Sequence, residues 1–86
     1  MSEDKLRGEM DRGAKAKALL NNPMLKEAFE QLETQYIEAW KISPNRDSEG
    51  RERIYLLMKS LDAVHAHLVS VLETGKLAEK QLNLKF

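Results

Sequence analysis

The stretch from Ile54 to Leu72 limits the fold more than any other part of the chain. Its apolar residues stand at Ile54, Leu57, Met58, Leu61, Val64, Leu68, Val71 and Leu72, stepping by threes and fours. At about 100° per residue these positions share one broad side of an α-helix. Tyr55, Lys59, Asp62, Ala66 and Glu73 fall outside the stripe. No Pro or Gly interrupts the run. Gly75 follows where a helix commonly ends on a residue of positive φ. A helix with one apolar side needs a partner, and the remaining residues must supply it.

Asn21-Asn22-Pro23 is the clearest boundary. Asn22 suits an N-cap and Pro23 the first helical position, where its missing N–H removes nothing. The next helix is expected from Pro23 to about Lys41, with Leu25, Ala28, Phe29, Leu32, Tyr36, Ala39 and Trp40 as its stripe. Ser43 to Gly50 forms a breaker-rich turn, with Asp47 or Ser48 as the cap of the following helix. So short a connection favours antiparallel neighbours. Leu25, Phe29, Leu32, Tyr36 and Trp40 are then expected to face Leu72, Leu68, Leu61, Leu57 and Ile54.

The two ends are less regular. Ser2 is a candidate cap, and Leu6, Met10, Ala14 and Leu20 roughly share a side that also holds Lys17. Gly8 and Gly13 each cost about 1 kcal/mol relative to Ala inside a helix, which predicts a frayed start and a better helix from Asp11 to Leu20. Beyond Gly75, the spacing of Leu77, Leu82, Leu84 and Phe86 fits neither regular period. The expected fold is all-α, one small domain over residues 1–86. It comprises an antiparallel helical hairpin (23–41 and 48–74), an additional N-terminal helix within 1–20, and a short C-terminal helical or irregular tail (76–86).

A chain of 86 residues buries only about 60–65% of its unfolded surface, so efficient packing or oligomerisation is needed. The formal net charge is zero, which removes uniform attraction to DNA or acidic membranes. Absence of cysteine removes disulfides, thiolate metal sites and cysteine nucleophiles. No apolar run is long enough to span a bilayer, and the mixed charges of residues 1–5 give no signal region. A cytoplasmic location is the expectation, with no membrane partner.

Catalytic and metal chemistry find little support. His65 falls within the apolar stripe and His67 on another side, roughly 200° apart on a regular helix, so the two do not chelate one ion together. His65 reads as a packed histidine with a polar neighbour. Glu30/Glu33 and Glu49/Glu52 read as solvated charges rather than acid–base pairs. No nucleophile elbow, P-loop or dinucleotide loop is present. No catalytic, cofactor or metal site is assigned. Arg46, Arg51 and Arg53 form the candidate phosphate or carboxylate contact, although the interleaved Asp47, Glu49 and Glu52 favour local pairing. The basic residues Arg7, Arg12, Lys15 and Lys17 read as a solvated helix face. Leu56, Ala63 and His67 lie on the side of the central helix away from its main stripe, making them the candidate partner contact. Either the N-terminal helix or another subunit is expected to cover them.

Four segments carry a resemblance: Ala18-Leu19-Leu20-Asn21-Asn22-Pro23-Met24-Leu25, Tyr36-Ile37-Glu38-Ala39-Trp40, Arg46-Asp47-Ser48-Glu49-Gly50-Arg51-Glu52-Arg53 and Leu72-Glu73-Thr74-Gly75-Lys76-Leu77-Ala78. Together they resemble short helical proteins encoded by tailed bacteriophages and prophages near packaging and portal genes. The resemblance covers most of residues 14–82 and implies a setting in virion assembly or DNA packaging, without binding residues. The expected function is that of a non-enzymatic assembly or packaging accessory acting through protein–protein contacts. Its partners would be itself or a larger phage packaging or capsid protein, in the host cytoplasm or in the virion. The alternatives are a nucleic-acid-binding packaging component, a less favoured reading, and a phage-encoded inhibitor of a host protein.

Overall fold

Three helices make up the computed structural model, which describes residues 2–85: α1 (Glu3–Leu20), α2 (Pro23–Ile42) and α3 (Ser48–Lys85). The described residues contain no strand. Each helix start follows from a side chain that satisfies free backbone N–H groups. The Ser2 hydroxyl accepts from the Lys5 N–H at 3.2 Å. The Asn22 carbonyl oxygen accepts from the Met24 and Leu25 N–H groups at 2.9 and 3.1 Å. Asp47 does the same for the Gly50 N–H at 3.0 Å. α1 begins at Glu3 with no irregular first turns, despite Gly8 and Gly13.

α3 is the spine. Its 38 residues span about 57 Å at 1.5 Å per residue, close to the 61 Å long dimension of the molecule. α1 and α2 together hold as many residues as α3 and lie along it in succession, both antiparallel to it. Leu6 clusters with Ala78 and Leu82, Gly13 meets Gly75, Phe29 meets His65 and Trp40 meets Arg51. The chain therefore runs up one side as a helix broken at Asn21-Asn22 and returns as one unbroken helix.

Gly75 does not end the third helix. It is buried within α3 at ordinary negative φ, and residues 76–85 continue the helix rather than forming a separate tail. The reason is its partner. A Cβ built on Gly13 would lie 2.8 Å from the Gly75 Cα, and one built on Gly75 would lie 2.7 Å from the Gly13 Cα. Two backbones thus touch where both side chains are hydrogen, and Ala16 and Ala78 are buried near the same seam. Leu6 and Leu82 close it toward the chain ends. Leu82 is buried against Leu6, Leu77 and Leu84 are exposed, and Phe86 lies outside the described residues.

The buried core consequently belongs to α1 and the C-terminal half of α3, not to the expected hairpin of α2 and α3. Among the described residues the buried apolar ones, Leu6, Ala16, Ala78 and Leu82, lie in that half, whereas α2 has no fully buried residue. The expected pairing is shifted as well. Leu72 neighbours Met10 and Gly13 of α1, while Leu25 borders a groove with Leu61, His65 and Val69.

Candidate protein interaction surface

The loose half of the molecule has two unlike faces. Leu25, Phe29, Tyr36 and Trp40 are half-buried and turned toward α3, which answers with Ile54, Met58 and Leu61. With that contact line as origin, the helical period places Lys26, Glu30 and Glu33 on one flank of α2, beside Asp62 of α3. These four charged residues border a groove of about 630 Å³ floored by Phe29 and Leu61. The opposite flank of α2 carries Ala28 and Leu32, and the adjoining side of α3 carries Leu57, Ser60 and Val64. No ionisable group lies among these five.

That second face is uncovered. Leu57 is 43% exposed, Val64 54% and Leu32 36%, although Leu57 and Val64 belong to the stripe that organises the helix. Their exposure has a simple geometric origin. The seam that α1 covers at Val71, Gly75, Ala78 and Leu82 continues toward the start of α3 through Val64 and Leu57 at heptad spacing. α1 stops at Leu20, and α2 packs instead on the Ile54, Met58 and Leu61 side. Leu57 and Val64 are left half-covered, 43% and 54% exposed.

Leu56, Ala63 and His67 extend the same face around α3. All three are exposed, Leu56 to 55%, so α1 does not cover them. Of the two covers expected for Leu56, the N-terminal helix is not the one that meets it. The face joins Leu56 and Ala63 to Leu57 and Val64, because α2 occupies only part of the stripe.

The arginine group is divided. Arg51 is half-buried, and its Nη1 donates to the Ser43 Oγ at 2.6 Å and to the carbonyl oxygens of Trp40 and Ser43 at 3.3 and 3.4 Å. Its guanidinium lies 3.9 Å from the centroid of a Trp40 ring. A planar cation that stacks and donates at once satisfies the end of α2 and ties it to α3. Arg46 and Arg53 are exposed and take no part. The local pairing expected with Asp47, Glu49 and Glu52 is not formed: among the described residues the ion pairs are Glu3–Arg7 and Asp11–Lys15, both in α1. The three arginines do not act as one site. Nothing in the charge pattern signalled this, although Trp40 and Arg51 flanking one short turn carried the cue.

His65 is exposed rather than packed, and its neighbour is aromatic: its ring meets Phe29 edge-on, with centroids 5.8 Å apart. Among the described residues there is no group of three or more His, Asp or Glu able to hold a metal ion. No helix is long and apolar enough to cross a membrane among those residues. Comparison with protein-family models, curated proteins and solved structures returns no match to this chain.

Proposed function

We propose that the chain is a non-enzymatic accessory of phage assembly or DNA packaging, working through protein–protein contacts made by the α2–α3 half. The observation that carries the contact reading is the uncovered apolar face around Leu57 and Val64, bordered by Arg53 and His67, which belongs to the principal apolar stripe of the longest helix. Apolar surface of this kind is stabilised by a protein partner, since each square ångström removed from water contributes about 25 cal/mol. The phage setting rests on the resemblance of the four segments alone. Its partners in that setting are itself and a larger packaging or capsid protein. The antiparallel α2–α3 hairpin, lacking buried residues of α2, is the part completed on assembly.

The test is affinity capture of the tagged full chain from phage-infected cells, with mass spectrometry and a Leu56→Glu control. Packaging or capsid proteins should be recovered with the wild type and lost with the variant. Recovery only of host proteins would replace this reading with that of a host-protein inhibitor. Recovery abolished by nuclease would replace it with a nucleic-acid role.

A further inference from the structure

We infer that the face of Leu32, Leu57 and Val64 is covered by a second copy of this chain, forming a two-fold dimer whose axis passes near Ser60. The inference rests on the reading of this face as a protein contact surface and names its occupant. Three observations converge on it.

The first is area. The accessible surface is 6771 Å², against about 5,200 Å² for a compact monomer of this mass, an excess of roughly 1,500 Å². A standard interface removes about 800 Å² from each partner, about half of that excess. The radius of gyration, 18.2 Å against about 12 Å for a compact chain of this length, shows that this surface comes from an elongated shape. The molecule is only 15 Å thick in its smallest dimension, one layer of helices where a stable domain has two. A second identical layer supplies what is missing.

The second is charge. Two copies meet without net repulsion because the formal net charge is zero. The charged residues Lys26, Glu30, Glu33 and Asp62 sit on the opposite face and remain in water.

The third is symmetry. In a two-fold contact each residue at one distance from the axis meets its counterpart at the same distance on the other side. The uncovered side of α3 runs from Arg53 to His67, with Ser60 at its midpoint and Leu57 and Val64 on either side of it. Antiparallel pairing about Ser60 therefore sets Leu57 of each copy opposite Ala63 of the other, and Val64 opposite Leu56. Ser60 is small, and its hydroxyl already donates to the Leu56 carbonyl at 2.9 Å, so it adds no unsatisfied polar group to the contact.

Sedimentation equilibrium of the full chain should give twice the 9.9 kDa chain mass at micromolar concentration. Val64→Glu should raise the dissociation constant by at least about tenfold while the helical circular dichroism is kept, because no buried residue is touched. Since the chain has no cysteine, Ser60→Cys gives a clean second reading. On oxidation it should form a disulfide-linked dimer, and Glu30→Cys on the other face should not. A wild type that stays monomeric at about 100 µM, weaker than most stable interfaces permit, overturns the inference. So does equal cross-linking at the two positions. A monomer that still captures a packaging protein through Leu56 would overturn the second copy as occupant and leave the contact reading of the face intact.

Discussion

Gly8 and Gly13 have the same composition and the same intrinsic helix penalty, yet their surroundings oppose one another. Nothing stands within 4 Å of a Cβ built on Gly8, whereas one built on Gly13 meets the backbone of Gly75. Gly8→Ala should therefore stabilise the protein by about 1 kcal/mol, through better helix propensity and a less flexible unfolded chain. Gly13→Ala gains the same propensity but forces α1 and α3 apart, at an overpacking cost of about 1–3 kcal/mol. Gly75→Ala meets the same obstacle from the other side. For a chain of this size 1 kcal/mol shifts the melting temperature by about 4–8 °C, so thermal melts should rise for Gly8→Ala and fall for Gly75→Ala. Equal shifts of one sign would mean that the two backbones do not approach as closely as the structure has them.

At the scale of elements, the helix beginning at Pro23 and the apolar stripe of Ile54–Leu72 were legible, because capping residues and a 3.6-residue period are local properties. The partner of that stripe was not. Gly75 reads locally as a helix end, and only a neighbour 62 positions away in the chain makes it a contact residue. A signal did exist: Leu6 and Gly13 are spaced as Gly75 and Leu82 are, in mirror order, as an antiparallel seam requires. The uncovered face was found in part, through Leu56 and Ala63, while Leu57 and Val64 were missed because period alone does not say which helix an apolar stripe meets. A truncation separates the two readings of residues 76–86. A dispensable tail would be removed without effect, but here Ala78 and Leu82 hold Leu6. Deletion after Gly75 should expose Leu6 and cost about 2–5 kcal/mol or more, as loss of large buried side chains does. Loss of α1 helicity in the truncated chain, followed by circular dichroism, is the expected outcome; an unchanged melt would make the tail dispensable.

The whole molecule divides into a half with a core and a half without one. α1 and the C-terminal part of α3 bury Leu6, Ala16, Ala78 and Leu82 around a backbone contact, while α2 has no fully buried residue and is held by its half-buried stripe, with Phe29 against His65 and Arg51 against Trp40. Opening free energy follows buried contact, and a helix with an exposed apolar side opens locally well before the molecule unfolds. Backbone amides of α2 should therefore exchange with solvent faster than those around Ala16 and Ala78 when the protein is dilute. A second copy seated on Leu57 and Val64 would bind the closed form and not the open one, stabilising α2 by mass action. Protection in α2 should then grow as protein concentration rises from about 1 to 100 µM, whereas protection along the Gly13–Gly75 seam should change much less. Hydrogen exchange read by mass spectrometry across that range tests both statements. Faster exchange along the seam than in α2 would reverse the assignment of the stable half. Protection in α2 that is lower than at the seam and independent of concentration would leave α2 a mobile arm that a second copy does not cover.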